Sequence, residues 1–470
     1  MRGLEQIAGH RLLFLNWRDQ ANPEAGGAEA YTEEIARRLA AAGAEVTLFT
    51  TKYPGAAPFD WAREYLVARE GGKFGVYLAA ARYLRKHGRY YDAVVDFQNG
   101  IPFFSPLFAP ASTVVVCVVH HVHQSQFDMY FRWPMNQVGR LLEGKATAKL
   151  YQRAPFVAVS PSTRAEMRHQ LGITAPIHIV PNGVRAMPPS TVQRSDAPEI
   201  AVVTRLVPHK RLHLLVEALP SLLHRWPDLH VYIAGDGRAR AELQAEASRL
   251  GLERHLSLPG RVPEQVKADL LSRAWLTVAP SLAEGWGLTV MEANSLGTPA
   301  VAYDVPGLRD SVRDGLTGWL VPADRDLAIP LEHALAELSD PARREAMVAE
   351  TKRWARRFTW DATAERMAGV LLSEIGRARL RTGSRRQSSD LSTVAWWPPE
   401  DADAVEEPVR RGLRVTDVLQ RDEDGIRVLF TGCDEMTAAR ALERVPVPPA
   451  KLYLASTVQV LCASGEGGLE

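Results

Sequence analysis

Short apolar, β-prone runs separated by stretches with helical spacing set the pattern of the first 180 residues. Leu12 to Trp17 reads as a strand and Ala28 to Ala42 carries the apolar stripe of a helix. After the turn at Gly43, Glu45 to Thr50 reads as a second strand. Asp92 to Phe97, Thr113 to Val119, Phe156 to Ser160 and His178 to Val180 read as further strands. Phe74 to Lys86 and Pro134 to Gln152 have helical periodicity. Alternation of this kind predicts a mostly parallel sheet with helices on both faces.

The pattern then restarts. Glu199 to Thr204 and His230 to Ala234 read as strands, with a helix at Arg211 to Arg225 between them. A helix at Ala239 to Leu250 follows, then strands at Leu256 to Pro259, Ala274 to Ser281, Ala300 to Tyr303 and Gly318 to Val321. Met187 to Pro198, rich in Pro and Ser, predicts a hinge between the halves. The expected architecture is α/β: two Rossmann-like, doubly wound parallel-sheet domains facing across a cleft. The boundaries drawn are 1–186, a hinge at 187–198, 199–355, a closing helix at 356–376, a polar linker at 377–412 and an extension at 413–470. The linker is inferred from a basic stretch with Arg377, Arg379, Arg381, Arg385 and Arg386, followed by acidic, proline-bearing sequence. The extension holds strand-like and helix-like pieces (GIRVLFTG, TAARALERV) and receives no role.

Composition narrows the function classes. The 470 residues are 46% hydrophobic and 24% charged, as in a soluble globular protein with sizeable cores. A net charge of +1 gives no support for nucleic-acid binding. No apolar run reaches the ~18 residues of a membrane helix. The three cysteines, Cys117, Cys433 and Cys462, are too dispersed for a disulfide framework or zinc cluster, so a cytoplasmic protein is expected. The helix bearing Tyr77, Arg82, Tyr83, Arg85 and Lys86 could touch a membrane but is better explained by packing on the sheet, so peripheral membrane contact is an open alternative that the sequence does not indicate.

The chemistry centres on Glu284-Gly-Trp-Gly-Leu-Thr-Val-Met-Glu292. A strand, a glycine loop at Gly285 and Gly287, and then a helix present unpaired N–H groups at Leu288 and Thr289 where an anion can sit. A pair of glutamates at this spacing is more often bland than functional, so other residues decide. Arg205 and Lys210 follow the first strand of the second half and suit a diphosphate. Gly26 and Gly27 precede the first helix, where a bare backbone admits a ligand. His120 ends the run VVVCVV and suits a cleft position, with His121 pointing to the opposite face. His120, His121 and His123 lack a completing zinc-like ligand set. Asp401-Ala402-Asp403 has D-x-D spacing but lies in the linker and is discounted, and Gly235-Asp236-Gly237 reads as a tight turn.

Taken together, AGGAEAY (25–31), the strand ending at His120, VPNGV (180–184), TRLVPHK (204–210), IAGDG (233–237), LPGRV (258–262) and EGWGLTVMEANSLGTPAVAY (284–303) resemble the family 4 (group 1) retaining glycosyltransferases of the GT-B fold. The resemblance covers roughly residues 11–375, and Phe358 to Leu372 resembles the family's closing helix. Trp286 departs from a commoner phenylalanine. The resemblance implies a hexosyltransferase-like enzyme with a nucleotide-diphosphate sugar as donor substrate and a hydroxyl-bearing glycan, lipid or small metabolite as acceptor. It further implies that no cofactor or metal is required. By matching position, Glu284 would contact sugar hydroxyls and Glu292 the ribose, while Arg205 and Lys210 neutralise the diphosphate. Leu288 and Thr289 would add backbone N–H groups, Gly26 and Gly27 would border the phosphate, and His120 would lie beside the reacting sugar. The glutamates are then no acid/nucleophile pair of the glycosidase kind. A sugar-nucleotide epimerase on the same fold and a non-catalytic nucleotide-sugar-binding subunit are the alternatives.

Overall fold

The computed structural model describes residues 2–62, 64–380, 391–413, 417–430, 433, 435–443 and 445–456. The first sheet has eight strands: β1 (Arg11–Leu15), β2 (Glu45–Thr50), β3 (Phe59–Ala62), β4 (Tyr65–Arg69), β5 (Ala93–Gln98), β6 (Val114–Val119), β7 (Phe156–Ala158) and β8 (Ile177–Ile179). They run in the order β3-β4-β2-β1-β5-β6-β7-β8 and pair in parallel, apart from the antiparallel edge pair β3–β4. That edge hairpin was not foreseen: Phe59 and Trp61 of β3 are exposed, and only β4 is a buried run. The helical stretch expected at 134–152 is broken into helix Met135–Leu141, a π segment Leu142–Ala146 and helix Thr147–Leu150.

The second domain contains β9 (Glu199–Val203), β10 (His230–Ala234), β11 (Leu256–Gly260), β12 (Thr277–Ala279), β13 (Ala300–Tyr303) and β14 (Gly318–Val321). Two three-stranded sheets, β11-β10-β9 and β12-β13-β14, meet through a parallel bridge between Ile200 and Leu276. The combined order β11-β10-β9-β12-β13-β14 reverses direction between β9 and β12. The first sheet reverses in the same way between β1 and β5. In doubly wound sheets such switch points open a crevice at the carboxyl ends of the strands. The loops carrying Gly26, Arg205 and Glu284 all leave from these points.

The chain crosses between the domains twice. Val184 N–H donates to the Phe358 carbonyl (2.8 Å), joining the two crossings. Helix Trp360–Leu380 then lies on the first domain, with Met367, Val370 and Leu371 in that domain's core. The expected hinge at 187–198 is fastened to the second domain: Arg194 donates to the Gly297 carbonyl (2.9 Å) and Ser195 N–H to the Arg273 carbonyl (2.9 Å).

The polar linker expected at 377–412 is corrected in its second half. Residues 391–397 form β15 (Leu391–Trp397), a central strand, and Ala402–Arg410 is a helix. Its acidic residues mark the outer face of an amphipathic helix whose Val405 and Val409 are buried. With β16 (Val418–Asp422), β17 (Gly425–Phe430), helix Glu435–Ala441 and β18 (Lys451–Ser456), the segment forms an antiparallel sheet in the order β16-β17-β15-β18. That is a split βαβ unit, with Trp397, Val405, Ile426 and Val428 in its core. Arg381, Arg385 and Arg386 lie outside the described residues.

Candidate active site

Three loops converge where the domains meet. β9 ends at Val203, and the turn Gly235-Asp236-Gly237 braces the chain that follows. Leu206 N–H donates to the Asp236 carbonyl (3.0 Å), and a side chain at Gly235 would collide with the Thr204 backbone. The braced segment aims Arg205 at the first domain. A Cβ on Gly26 would lie 3.5 Å from Arg205 Cζ, an ordinary contact. Gly26 N–H is taken by Glu29 Oε2 (2.7 Å), and Glu29 Oε1 accepts from Arg18 (3.0 Å). At Gly27 the crowding comes from the second domain, since a Cβ would stand 2.9 Å from Leu288 Cδ1. Gly27 therefore makes room for Leu288, whereas Gly26 meets Arg205 at ordinary contact distance.

Lys210 ends a 3-10 turn (Pro208–Lys210), and its Nζ donates to Glu284 Oε1. Ser281 Oγ donates to the same oxygen (2.8 Å). Burial pushes the Glu284 carboxyl up, but Lys210 and Ser281 outweigh it and hold it below the ordinary value. Glu284 is thus an oriented carboxylate. Its loop is gripped from both sides. Gly285 lies against the His120 carbonyl, and Gly307 lies against the Glu284 backbone. Gly287, at φ +80°, caps helix Leu288–Ser295 in a left-handed conformation natural to glycine. The first-turn N–H groups of Leu288 and Thr289 thereby lie at the helix start.

Glu292 sits about one turn into that helix and pairs with Lys267 Nζ (2.8 Å). Burial raises its pKa, with Lys267 opposing and Glu264 adding to the rise. Lys267 escaped sequence reasoning because its helix, Glu264–Arg273, looks like any charged surface helix. Only the fold turns it toward Glu292.

His120 is buried, with its ring edge-on to Tyr31 (5.0 Å) and stacked over Phe97 (6.3 Å). Burial, assisted by His123, lowers its pKa to about 3, and its Nε2 has no partner among the described residues. The group is neutral at ordinary pH and offers a hydrogen bond rather than a charge. His121 lies against His123, with ring centroids 3.8 Å apart, and His123 is held by Glu143. Tyr130 and His209 also bridge the domains (2.8 Å), another contact without a sequence signal. Trp286 is buried against Phe358 (5.0 Å), so the larger ring is accommodated. Asp403 of the D-x-D spacing is engaged by Arg421 (2.7 Å) in the extension.

Two family models cover most of this architecture: one described as Glycosyltransferase Family 4 matches residues 25–186, and one described as Glycosyl transferases group 1 matches residues 185–354. The chain is a family 4 glycosyltransferase. This glycosyltransferase is 29% identical over 377 residues to a GDP-mannose-dependent α-(1-6)-phosphatidylinositol monomannoside mannosyltransferase of Mycolicibacterium smegmatis, covering 74% of the chain and 95% of the relative. It is 33% identical over 229 residues to a D-inositol 3-phosphate glycosyltransferase of Thermobispora bispora, a match spanning 46% of the chain and 48% of that relative. The sucrose-phosphate synthase of Thermosynechococcus elongatus shares the fold at a TM-score of 0.64 and 19% identity, covering 80% of this chain and all of that one. The enzyme transfers a sugar from a nucleotide sugar to a hydroxyl acceptor, and the epimerase and binding-subunit alternatives are not favoured. Among the described residues, no helix is long and apolar enough to cross a membrane.

Proposed function

We propose that this glycosyltransferase retains anomeric configuration, needs no metal, and uses a nucleotide-diphosphate sugar held mainly by the second domain. Arg205 and Lys210 meet the diphosphate, Glu284 the sugar hydroxyls and Glu292 the ribose, while the N–H groups of Leu288 and Thr289 support the phosphate. Gly26 and Gly27 border it from the first domain. The observation that carries this reading is the Lys210–Glu284 pair, oriented by Ser281 and seated beside the His120 strand end. A fixed cation and carboxylate there stabilise charge as the bond from the anomeric carbon to the phosphate breaks. The acceptor oxygen then bonds to that carbon on the face the phosphate leaves, and its proton passes to the departing phosphate oxygen. His120, neutral and with a free Nε2, supplies a hydrogen bond to the sugar. A cytoplasmic location fits the free, buried thiol of Cys117.

Mannosyl donors and inositol-bearing acceptors are the first to screen, since both chemistries occur in the names of the similar enzymes. The test is turnover and product stereochemistry in Glu284→Gln and Lys210→Met. Each variant should lose about 10²–10³ in kcat with nucleotide binding measurable, as for removal of one charge-stabilising group. Near-normal turnover in both would overturn the site. A product of inverted configuration by proton NMR would overturn retention.

A further inference from the structure

Beside the cleft, the first domain carries an apolar surface that the transfer reaction does not use. Helix Gln124–Tyr130 and helix Met135–Leu141 fold back on each other, with Gly139 pressed so close to the Phe127 ring that an added Cβ would meet it at 2.5 Å. Phe127 is buried in that contact. Phe131, Trp133, Met135, Val138 and Leu141 instead face solvent, Trp133 to 80%, Met135 to 59% and Leu141 to 53%. Large apolar side chains grouped on one surface mark an interaction site.

The charges around them are one-sided. Arg132 stands between Phe131 and Trp133, and the helical path continues past Leu141 to exposed Lys145, Lys149 and then Arg153. Positions 138, 141, 145 and 149 follow helical spacing, so the apolar stripe runs into a basic one. Of the two acids in residues 124–153, Asp128 is bonded to Asn136 (2.8 Å) and Arg140 (3.3 Å). The other, Glu143, is buried and bonded to His123 and Gln124.

We propose that this hairpin docks the enzyme on an anionic lipid surface, with Trp133 and its apolar neighbours at headgroup depth and Lys145 and Lys149 on lipid phosphates. An apolar face continued by lysines is the composition of an interfacial helix. A second copy of the chain is a poorer occupant, because a two-fold contact would bring the same basic stripe against itself. The Tyr130–His209 hydrogen bond sets the hairpin on the rim where the domains meet. Docking would therefore hold the cleft mouth close to the bilayer.

The experiment is flotation of the full chain with vesicles of phosphatidylglycerol and phosphatidylcholine, against vesicles of phosphatidylcholine alone. It needs no turnover, so its result stands apart from the donor assignments. The wild type should float with the anionic vesicles and be released by high salt. Trp133→Ser should weaken partitioning about tenfold. Lys145→Glu with Lys149→Glu should weaken it by at least ~20-fold, at about fivefold per lost cation. Nucleoside diphosphate binding checks that each variant is folded, and the lysine variant keeps the test open if Trp133→Ser fails to fold. Absence of wild-type binding, or equal binding by both variants, would overturn the proposal. So would a dimer in sedimentation that Trp133→Ser dissolves while vesicle binding is unchanged.

Discussion

Replacing Gly285 with alanine tests whether the contact between the donor loop and the His120 strand is needed for transfer. A Cβ there would stand 3.1 Å from the His120 carbonyl carbon and nearer still to its oxygen, with Val159 Cγ2 at 3.4 Å. Carbon and carbonyl oxygen rest at about 3.3–3.6 Å, so one side must yield by close to ~1 Å. The loop cannot retreat, because Gly307 already lies against the Glu284 backbone with no room for a Cβ. The domains must therefore part. A misplacement of about 1 Å between reacting groups costs on the order of 10²-fold in rate. We expect kcat to fall about a hundredfold in Gly285→Ala, read by release of nucleoside diphosphate from the donor. The affinity for nucleoside diphosphate alone, measured by calorimetry, should change less than about threefold, because Arg205, Lys210 and Glu292 all belong to the second domain. A kcat within threefold of wild type would refute the reasoning, as would an equal loss in nucleotide affinity.

Two further outcomes follow from burial. The His120 pKa of about 3 lies below the unfolded value of 6.5, so the folded state binds fewer protons and its stability falls as pH drops below 6.5. Between pH 7 and pH 5 that amounts to about 2 kcal/mol. His120→Phe should lose correspondingly less stability than wild type in urea titrations at the two pH values, and equal losses would contradict the burial argument. Lys267→Met leaves Glu292 buried without its cation, so its pKa should rise further, and nucleotide binding should weaken as pH falls through that value, where the protonated carboxyl accepts less well from the ribose hydroxyls. A pH-independent affinity in calorimetry would show that Lys267 does not govern Glu292.

The two-domain frame was legible because each β-α repeat writes its own period into the chain, and β2 and β10 match their expected bounds. The strand-to-helix segment was legible because Glu284, Gly285, Gly287 and Glu292 lie close together between β12 and the helix Leu288–Ser295. Partners supplied by distant elements were not. Lys267 reaches Glu292 from a neighbouring helix, and Glu29 holds Gly26 through an ordinary first-turn position. The role given to the glycine pair also shifts. The tight neighbour is Leu288 at Gly27, which no local pattern announces. The extension failed for a different reason: acidic residues on a helix surface and acidic residues in a linker have the same composition. Only Val405 and Val409 separate the two readings, and they need the sheet to be noticed.

The hydrogen bond between Val184 and Phe358 has a mechanical consequence. A pair of domains joined by one strand can swivel, slide and tilt. Here two strands cross at one place and are tied to each other, and Gly183 is packed so tightly on Trp360 that no side chain fits between them. The two crossings therefore share one hinge point instead of acting as separate links. The seating of Gly285 on the His120 carbonyl thus depends partly on an axle that lies at the domain crossings rather than in the candidate site.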